Sequence, residues 1–286
     1  MNSELIIDST PDEVQIALLE EKRLVEFSSE KKDNNFSVGD IYLGRIRKIM
    51  PGLNAAFVDI GYEKDAFLHY LDLGPQFLSL IKFMKSTSGS SQGDGLLTNF
   101  ELEKDIDKGG KISSALAANQ WLPVQIAKEP ISTKGPRISS DISLAGRYVV
   151  MVPFSNVVSV SQKIKSSEER NRLKRLAMSI KPKNFGLIIR TVAEGKKVAE
   201  IDKDIQDLLS KWHQFYELLK TSKPPQKLLG EMDRTSTILR DMLNPGFNSI
   251  YVNDQVFFEE VKSYIRSIAP EQEEIVKLYK GKIPIF

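Results

Sequence analysis

A series of short apolar segments between residues 38 and 69 constrains this chain more than any other feature. The first segment alternates apolar and polar residues, and a Pro-Gly pair separates it from the second. Short alternating segments joined by Gly/Pro turns are typical of small antiparallel barrels. A further apolar segment at 122–127 follows an insertion at 74–118, which has a Gly/Ser-rich centre at 86–95. We therefore predict a small barrel interrupted by an insertion.

The rest of the chain mixes strands and helices, which predicts an α+β protein. Near the N-terminus, apolar patches at 4–7 and within 13–27 predict strands, with the polar residues 20–23 forming a turn between the patches at 14–19 and 24–27. Helical spacing of apolar residues predicts helices at 166–180, 203–219, 237–243 and 254–268, and short apolar runs predict strands at 147–153, 185–191 and 250–252.

Basic residues are concentrated in the middle of the chain, although the whole sequence has a formal net charge of only +2. Residues 162–200 contain eleven Lys or Arg and four Asp or Glu, a net charge of +7. Residues 204–286 contain eleven Lys or Arg and twelve Asp or Glu, a net charge of −1. A basic region between nearly neutral segments fits a polyanion bound over a limited surface. The alternative is a solvated helix face with no ligand.

Composition excludes several classes of site. The chain has no Cys, which excludes disulfides, Cys-ligated zinc, iron–sulfur clusters and cysteine nucleophiles within these residues. It has no apolar run of about 18 residues, the length that predicts a membrane-spanning helix. The N-terminus lacks the basic start and long apolar core of a signal peptide. We therefore expect a cytoplasmic protein of bacterial type without a membrane partner.

Four segments carry a resemblance to a known family. The first is an S1-type pattern made of VGDIYLGRIRKI at 38–49, PGLNAAFVDIG at 51–61 and AFLH at 66–69. The others are ISLAGRY at 142–148, GLIIRT at 186–191 and KLYKGKIPIF at 277–286. One S1-type match is weak evidence, because that barrel occurs in many unrelated proteins. All four, in this order and spacing, resemble the ribonuclease E/G family of bacterial endoribonucleases, and ribonuclease G in particular.

The resemblance implies a domain plan. Residues 1–36 and 204–286 would form a ribonuclease-H-like domain split by insertions. An S1-type barrel of the OB-fold class would occupy 37–127, including the insertion at 74–118. A small 5′-sensor domain would occupy 128–203. In the family a metal-dependent catalytic domain follows such an assembly, and we expect that domain to begin where this chain ends.

The same resemblance implies that hydrolysis depends on residues outside this chain. We assign it no catalytic residue and no metal ligand, and we expect residues 1–286 alone to be inactive. Asp8 follows a strand, as a metal-binding Asp does in a true ribonuclease H, but no partner carboxylates for a two-metal site can be named. The resemblance implies no cofactor for this chain, and magnesium plus a zinc link between subunits for the full-length enzyme.

Two aromatic and three basic side chains are candidates for contact with RNA. The resemblance places Phe57 and Phe67 on the RNA-binding face of the barrel, where an exposed ring stacks on any base. The pattern alone also permits either ring to fill the barrel core. His69 is close to the same face, either in contact with RNA or without a role. Lys128 and Lys134 would neutralise phosphates, or are ordinary exposed loop lysines.

The proposed 5′-phosphate site comprises Arg190, Thr191, Gly146 and Val150. A guanidinium offers a rigid fork of donors to a terminal phosphate, and the adjacent hydroxyl adds one more. A continuous strand would direct Arg190 and Thr191 to opposite faces, so we expect the strand to end at Ile189 or Arg190. The resemblance implies that Gly146 and Val150 contact the phosphate or the first base. Without the resemblance, Arg190 is an ordinary surface residue at a strand end.

Three functional hypotheses remain at this point. The first is the 5′-monophosphate-sensing half of a single-strand-specific endoribonuclease of RNA turnover and ribosomal RNA processing. The second is a stand-alone, non-catalytic S1-type RNA-binding protein, and the third a general polyanion binder. For the first, the expected partner is single-stranded RNA with a 5′-monophosphate. The resemblance implies a homo-oligomeric full-length enzyme, whereas we expect this chain to be monomeric or weakly associated.

Overall fold

The two ends of the chain fold together, and the residues between them form a second unit. A computed structural model describes residues 3–31, 36–87, 95–243, 246–281, 283 and 285. Unit 1 combines residues 1–35 with 232–286, and unit 2 comprises residues 36–231. Among the described residues, no helix is both long and apolar enough to cross a membrane.

Fifteen strands and six α-helices make up the described structure. The strands are β1 (Ser3–Ser9), β2 (Glu13–Glu20), β3 (Arg23–Lys31), β4 (Ile41–Met50), β5 (Ala55–Asp59), β6 (Ala66–His69), β7 (Trp121–Lys128), β8 (Arg137–Ser139), β9 (Leu144–Ala145), β10 (Val149–Pro153), β11 (Val158–Val160), β12 (Phe185–Ile189), β13 (Gln226–Leu229), β14 (Phe247–Val252) and β15 (Val276–Leu278). The helices are α1 (Phe77–Thr87), α2 (Ile112–Ala115), α3 (Ser167–Ile180), α4 (Val198–Thr221), α5 (Arg234–Met242) and α6 (Gln255–Ile268).

Unit 1 is a five-stranded sheet with the order β15-β14-β1-β2-β3. β1 pairs antiparallel with β2 and parallel with β14, so the two ends of the chain meet in one sheet. The predicted polar turn between β2 and β3 is a tight hairpin in which Glu21 and Lys22 both have positive φ. Leu5 and Ile7 are fully buried and pack with Ile238 and Ile265, which come from α5 and α6.

The barrel of unit 2 confirms the fold predicted for the S1-type segments. Its strands follow the order β4-β5-β6-β8-β7, and pairing of β4 with β7 closes it. β13 adds to the N-terminal half of β4, while β5 pairs with the C-terminal half. Alternation along the strands places Ile46, Val58 and Leu68 inside the barrel, all completely buried.

A smaller sheet in unit 2 carries the second group of candidate site residues. Its order is β11-β12-β10-β9, and α3 and α4 pack against it. Ser166 caps α3 by accepting a hydrogen bond from the Glu169 N–H, as expected for a helix that begins after a serine. The core of this sheet is continuous with the barrel core, and Trp212 is buried within it.

The insertion between β6 and β7 joins the same core. Its first α-helix, α1, is amphipathic and buries Phe77, Leu80 and Phe83. Phe83 packs against Trp212 with a ring-centroid distance of 5.5 Å. Residues 88–94, most of its Gly/Ser-rich centre, lie outside the described residues.

The C-terminal boundary of unit 2 differs from the boundary that the resemblance implies. The resemblance placed residues 204–286 with the N-terminal segment, whereas the structure begins the second part of unit 1 at residue 232. The difference is due to α4, whose buried residues Ile201, Ile205 and Trp212 belong to the core of unit 2. A 24-residue helix with a continuous buried stripe cannot be divided between two cores.

A buried carboxylate joins the segments where the chain enters and leaves unit 2. Asp40 is 1% exposed, and its Oδ2 lies 2.7 Å from the ammonium of Lys227. Its oxygens also accept the backbone N–H groups of Ser37 at 3.1 Å and Glu231 at 2.8 Å. Asp40 therefore fixes the start of the barrel to the segment that contains β13.

We expect Asp40→Ala to destabilise unit 2 by about 2 kcal/mol, because it leaves an ammonium and two N–H groups without their acceptor. Both tryptophans of the sequence, Trp121 and Trp212, lie in unit 2, so urea unfolding followed by tryptophan fluorescence measures this loss. The control is Glu217→Ala, which removes an exposed ion pair with Lys220 and should change stability by less than about 1 kcal/mol. Equal effects of the two substitutions would contradict the role of Asp40.

Candidate nucleic-acid interface

A row of two aromatic and three basic residues crosses the outer face of the barrel. Lys48 of β4 is paired with Phe57 of β5, and Phe57 with Phe67 of β6. Phe67 is paired with Arg137 of β8, and Arg137 with Lys128 of β7. The five residues, here called the barrel row, are direct cross-strand neighbours around the barrel. Neighbours of this kind have closely spaced Cβ atoms.

The two phenylalanines of the barrel row lie outside the barrel core. Ala56, Val58 and Ala66, which flank them along β5 and β6, are fully buried inside the barrel. Because side chains alternate along a strand, Phe57 and Phe67 are directed to the other face, where both are half-buried. Their rings meet edge to face, with centroids 5.9 Å apart. The two rings form one continuous aromatic surface.

The basic residues of the barrel row differ in their surroundings. Lys48 and Lys128 are exposed at its two ends. Arg137 forms a bidentate pair with Asp72, with distances of 3.0 Å from Nε and 2.9 Å from Nη2. The hydrogen bond to Asp72 raises the pKa of Arg137. The row therefore presents one neutralised and two exposed cations beside the rings.

Lys134 and His69 lie close to the row without belonging to it. Lys134 is exposed in the loop between β7 and β8, where it pairs with Ile131. This loop is joined to β6, since the Phe67 N–H donates to the Pro136 carbonyl at 2.8 Å. The Nδ1 of His69 accepts the N–H of Leu71 at 3.1 Å, which caps the following 3-10 turn. His69 thus has a structural role, and its contact with RNA stays a prediction.

Arg190 and Gly146 are brought together at the end of β12. The strand ends at Ile189, as predicted, and Thr191 begins a 3-10 turn. The Nη1 of Arg190 donates to the Gly146 carbonyl at 2.8 Å, and its backbone N–H donates to Tyr148 at 2.8 Å. The guanidinium is therefore held against the turn at residues 146–149.

Thr191 and Val150 complete the predicted set. The Oγ1 of Thr191 lies 2.9 Å from the Oγ of Ser161, and Thr191 is exposed. Val150 lies on β10 opposite Ile188 of β12, and both side chains lie on the sheet face away from the buried residues Val149 and Leu187. That face is apolar next to the strand end that carries Arg190.

Asp204 is a residue of this region that the sequence analysis did not identify. Its carboxylate accepts three consecutive backbone N–H groups, from Arg147 at 3.0 Å, Tyr148 at 2.7 Å and Val149 at 3.0 Å. Burial raises the pKa of Asp204, and these hydrogen bonds act in the opposite direction. The sequence held only a weak signal, since Asp204 directly precedes the buried Ile205 but is one of several acidic residues of α4.

Asp204 also explains why residue 146 is a glycine. A Cβ at Gly146 would lie 2.5 Å from one carboxylate oxygen of Asp204 and 2.6 Å from the other. The N–H of Gly146 already donates to the Val149 carbonyl at 2.8 Å. Close packing of a carboxylate is thus the structural reason for the missing side chain, and contact of Gly146 with RNA stays a prediction.

The described residues do not fit a bound metal ion. Among them, no group of three or more His, Asp or Glu side chains is arranged to hold one. The sequence contains no Cys for a zinc site. Asp8 lies within β1, whereas the sequence predicted a position after the end of the strand, and its carboxylate accepts a hydrogen bond from the Asn253 amide.

We expect Gly146→Ala to destabilise unit 2 by about 1–3 kcal/mol, because the added methyl group displaces the Asp204 carboxylate from its three donors. Urea unfolding followed by tryptophan fluorescence measures the change. Gly52→Ala is the matched control, because a Cβ at Gly52 meets no atom within 4 Å. Wild-type stability of Gly146→Ala would show that the carboxylate does not limit this position.

Comparison with known proteins gives the family. The family model described as "Ribonuclease E/G family" matches residues 143–286, half of the chain. The chain is 36% identical to Ribonuclease G of Haemophilus influenzae over 283 residues, which cover 99% of this chain and 54% of that protein. It is 33% identical to Ribonuclease G of Escherichia coli strain K12 over 286 residues, or 100% of this chain and 55% of that protein.

A third relative is Ribonuclease E of a Nostoc species, which is 35% identical over 261 residues, or 88% of this chain and 34% of that protein. The chain therefore spans about half the length of the ribonuclease G relatives that it matches. The family match covers the turn at 146–149, Arg190 and Asp204, and the relatives extend the similarity across the barrel. This chain belongs to the ribonuclease E/G family.

Proposed function

We propose that this chain is the RNA-recognition part of a bacterial, cytoplasmic, single-strand-specific endoribonuclease of RNA turnover and ribosomal RNA processing. The barrel row carries this proposal, because two neighbouring rings in edge-to-face contact and three cations lie in one line across the barrel. Family membership supports RNA as the ligand. The substrates and the activity of the whole protein are part of this proposal.

The aromatic residues and the basic residues of the barrel row both suit single-stranded RNA. Unpaired bases stack on the exposed surfaces of Phe57 and Phe67, and stacking on a ring does not depend on the base. Lys48 and Lys128 contribute favourable contacts to phosphates on either side of the rings. Lys134 and His69 would extend the contact beside the same face. Bases paired within a duplex cannot stack in this way, which gives the preference for single strands.

The second part of the proposal is recognition of a 5′-monophosphate by Arg190 and Thr191. A guanidinium held by the Gly146 carbonyl is restricted in its orientation, so less conformational entropy is lost when it binds an anion. Thr191 offers an adjacent hydroxyl. Val150 and Ile188 offer an apolar surface for the first base. Together these groups fit a charged terminal phosphate followed by a base.

The strand order of unit 1 supports its assignment as the split ribonuclease-H-like domain. Three antiparallel strands, β3, β2 and β1, are followed in the sheet by the parallel strands β14 and β15. We propose a structural role for this unit. Hydrolysis is assigned to magnesium-binding carboxylates elsewhere in the full-length enzyme, so residues 1–286 alone are inactive. The full-length enzyme is proposed to be a homo-oligomer with a zinc link, whereas this chain is monomeric or weakly associated.

We expect Phe57→Ala and Phe67→Ala each to weaken binding of single-stranded RNA by about 1–3 kcal/mol, which is roughly 5- to 150-fold in Kd. Fluorescence anisotropy with a labelled RNA of about ten nucleotides, at one fixed salt concentration, measures the change. The matched control is Phe27→Ala, which removes a ring that is 54% exposed in unit 1. If all three variants bind as the wild type does, the barrel row is not the RNA interface.

Arg190→Ala tests the 5′-sensing part. We expect the wild type to bind 5′-monophosphorylated RNA more tightly than 5′-hydroxyl and 5′-triphosphorylated RNAs of the same sequence. Arg190→Ala should remove the advantage over 5′-hydroxyl RNA, because the charged donors for the phosphate are lost. Arg190→Lys keeps the positive charge but loses the forked donors of the guanidinium, so it should retain part of the advantage over 5′-hydroxyl RNA. Binding without any 5′-end preference in the wild type would instead favour a stand-alone S1-type RNA-binding protein.

A further inference from the structure

We infer that Asp204 is a positioning residue for the 5′-phosphate site: it holds the turn at residues 146–149 and, through the Gly146 carbonyl, the guanidinium of Arg190. The inference rests on the proposed 5′-sensing function and deepens it. It assigns a role to a side chain of α4 that lies within the family match but outside the four motifs quoted for the resemblance.

The first step is the contact between Asp204 and the turn. Three consecutive N–H groups, those of Arg147, Tyr148 and Val149, point at one carboxylate at 2.7–3.0 Å. Converging backbone N–H groups form an anion-binding concavity. Hydrogen bonds to an ionised acceptor are also stronger than those between neutral groups. Asp204 thus fixes the backbone of the turn from a helix more than 50 residues away.

The second step runs from the turn to Arg190. The turn closes on itself, because the Gly146 N–H donates to the Val149 carbonyl at 2.8 Å. Arg190 binds the turn at two points, with its Nη1 on the Gly146 carbonyl and its backbone N–H on the Tyr148 carbonyl. A displacement of the turn therefore displaces the guanidinium. The position of Arg190 depends on Asp204, although these hydrogen bonds join both residues to the turn and not to each other.

The third step concerns the place that an RNA phosphate can occupy. The three N–H groups would themselves attract a phosphate if their acceptor were absent. Because the Asp204 carboxylate occupies them, a terminal phosphate is directed to Arg190 and Thr191 instead. The missing side chain at Gly146 fits this arrangement, since a Cβ there would overlap the carboxylate. Asp204 therefore acts on both the geometry and the selectivity of the site.

The test compares Asp204→Asn with Asp207→Asn, which removes an exposed carboxylate from the same helix. For each protein, the Kd is measured for short RNAs of one sequence with a 5′-monophosphate or a 5′-hydroxyl. The readout is the Kd for the 5′-hydroxyl RNA divided by the Kd for the 5′-monophosphate RNA. We expect Asp204→Asn to lower this ratio about tenfold, or about 1.4 kcal/mol, with the Kd for 5′-hydroxyl RNA unchanged. Asp207→Asn should keep the wild-type ratio.

Amide hydrogen exchange provides a measurement that does not depend on RNA. Exchange at Arg147, Tyr148 and Val149 should accelerate in Asp204→Asn and stay at the wild-type rate in Asp207→Asn, with the strands of the barrel protected in both. Unchanged exchange at the turn, or a wild-type Kd ratio in Asp204→Asn, overturns the role of Asp204 but leaves the proposed 5′-sensing function intact. A wild-type protein without a 5′-end preference overturns the proposed 5′-sensing function, and this inference with it.

Discussion

Closure of the barrel through the pairing of β4 with β7 is the constraint on which the candidate RNA interface depends. Pairing in a closed sheet fixes which residues are neighbours on every strand, and a shift by one residue would exchange the inner and outer faces. The register that buries Ile46, Val58 and Leu68 is therefore the register that places Phe57 beside Phe67 outside. The hydrophobic core and the proposed RNA-binding face are two results of one pairing pattern.

A second constraint comes from α4, which is shared by the barrel and the small sheet. One side of this helix supplies Trp212 and Ile205 to the common core. The same side carries Asp204, so the position of the turn at 146–149 is fixed by the packing that stabilises the unit. The proposed phosphate site consequently depends on rigid elements, although Arg190 and Gly146 both lie outside strands. Rigid support of this kind is what a site with a defined geometry needs.

Much of the local structure follows from the sequence. The apolar spacing of α3 and α6, with Ser166 and Asp254 as their N-caps, predicts both helices close to their observed bounds. The end of β12 at Ile189 agrees with the prediction of an end at Ile189 or Arg190, which followed from the need for the two proposed phosphate-binding side chains to share a face. The extent of unit 2 could not be predicted from the sequence. The apolar stripe of α4 is visible in the sequence, but not the core against which it packs.

The sequence by itself determined the α+β class, the small barrel, the family resemblance and the identity of Phe57, Phe67 and Arg190 as candidates. Only the tertiary structure decided that the two rings lie outside the barrel core, in one row with Lys48, Arg137 and Lys128. It also decided that Asp204 holds the turn beside Arg190. The physical reason is the same in both cases. Strand register and the burial of a carboxylate depend on partners far away in the chain, whose position no local pattern specifies.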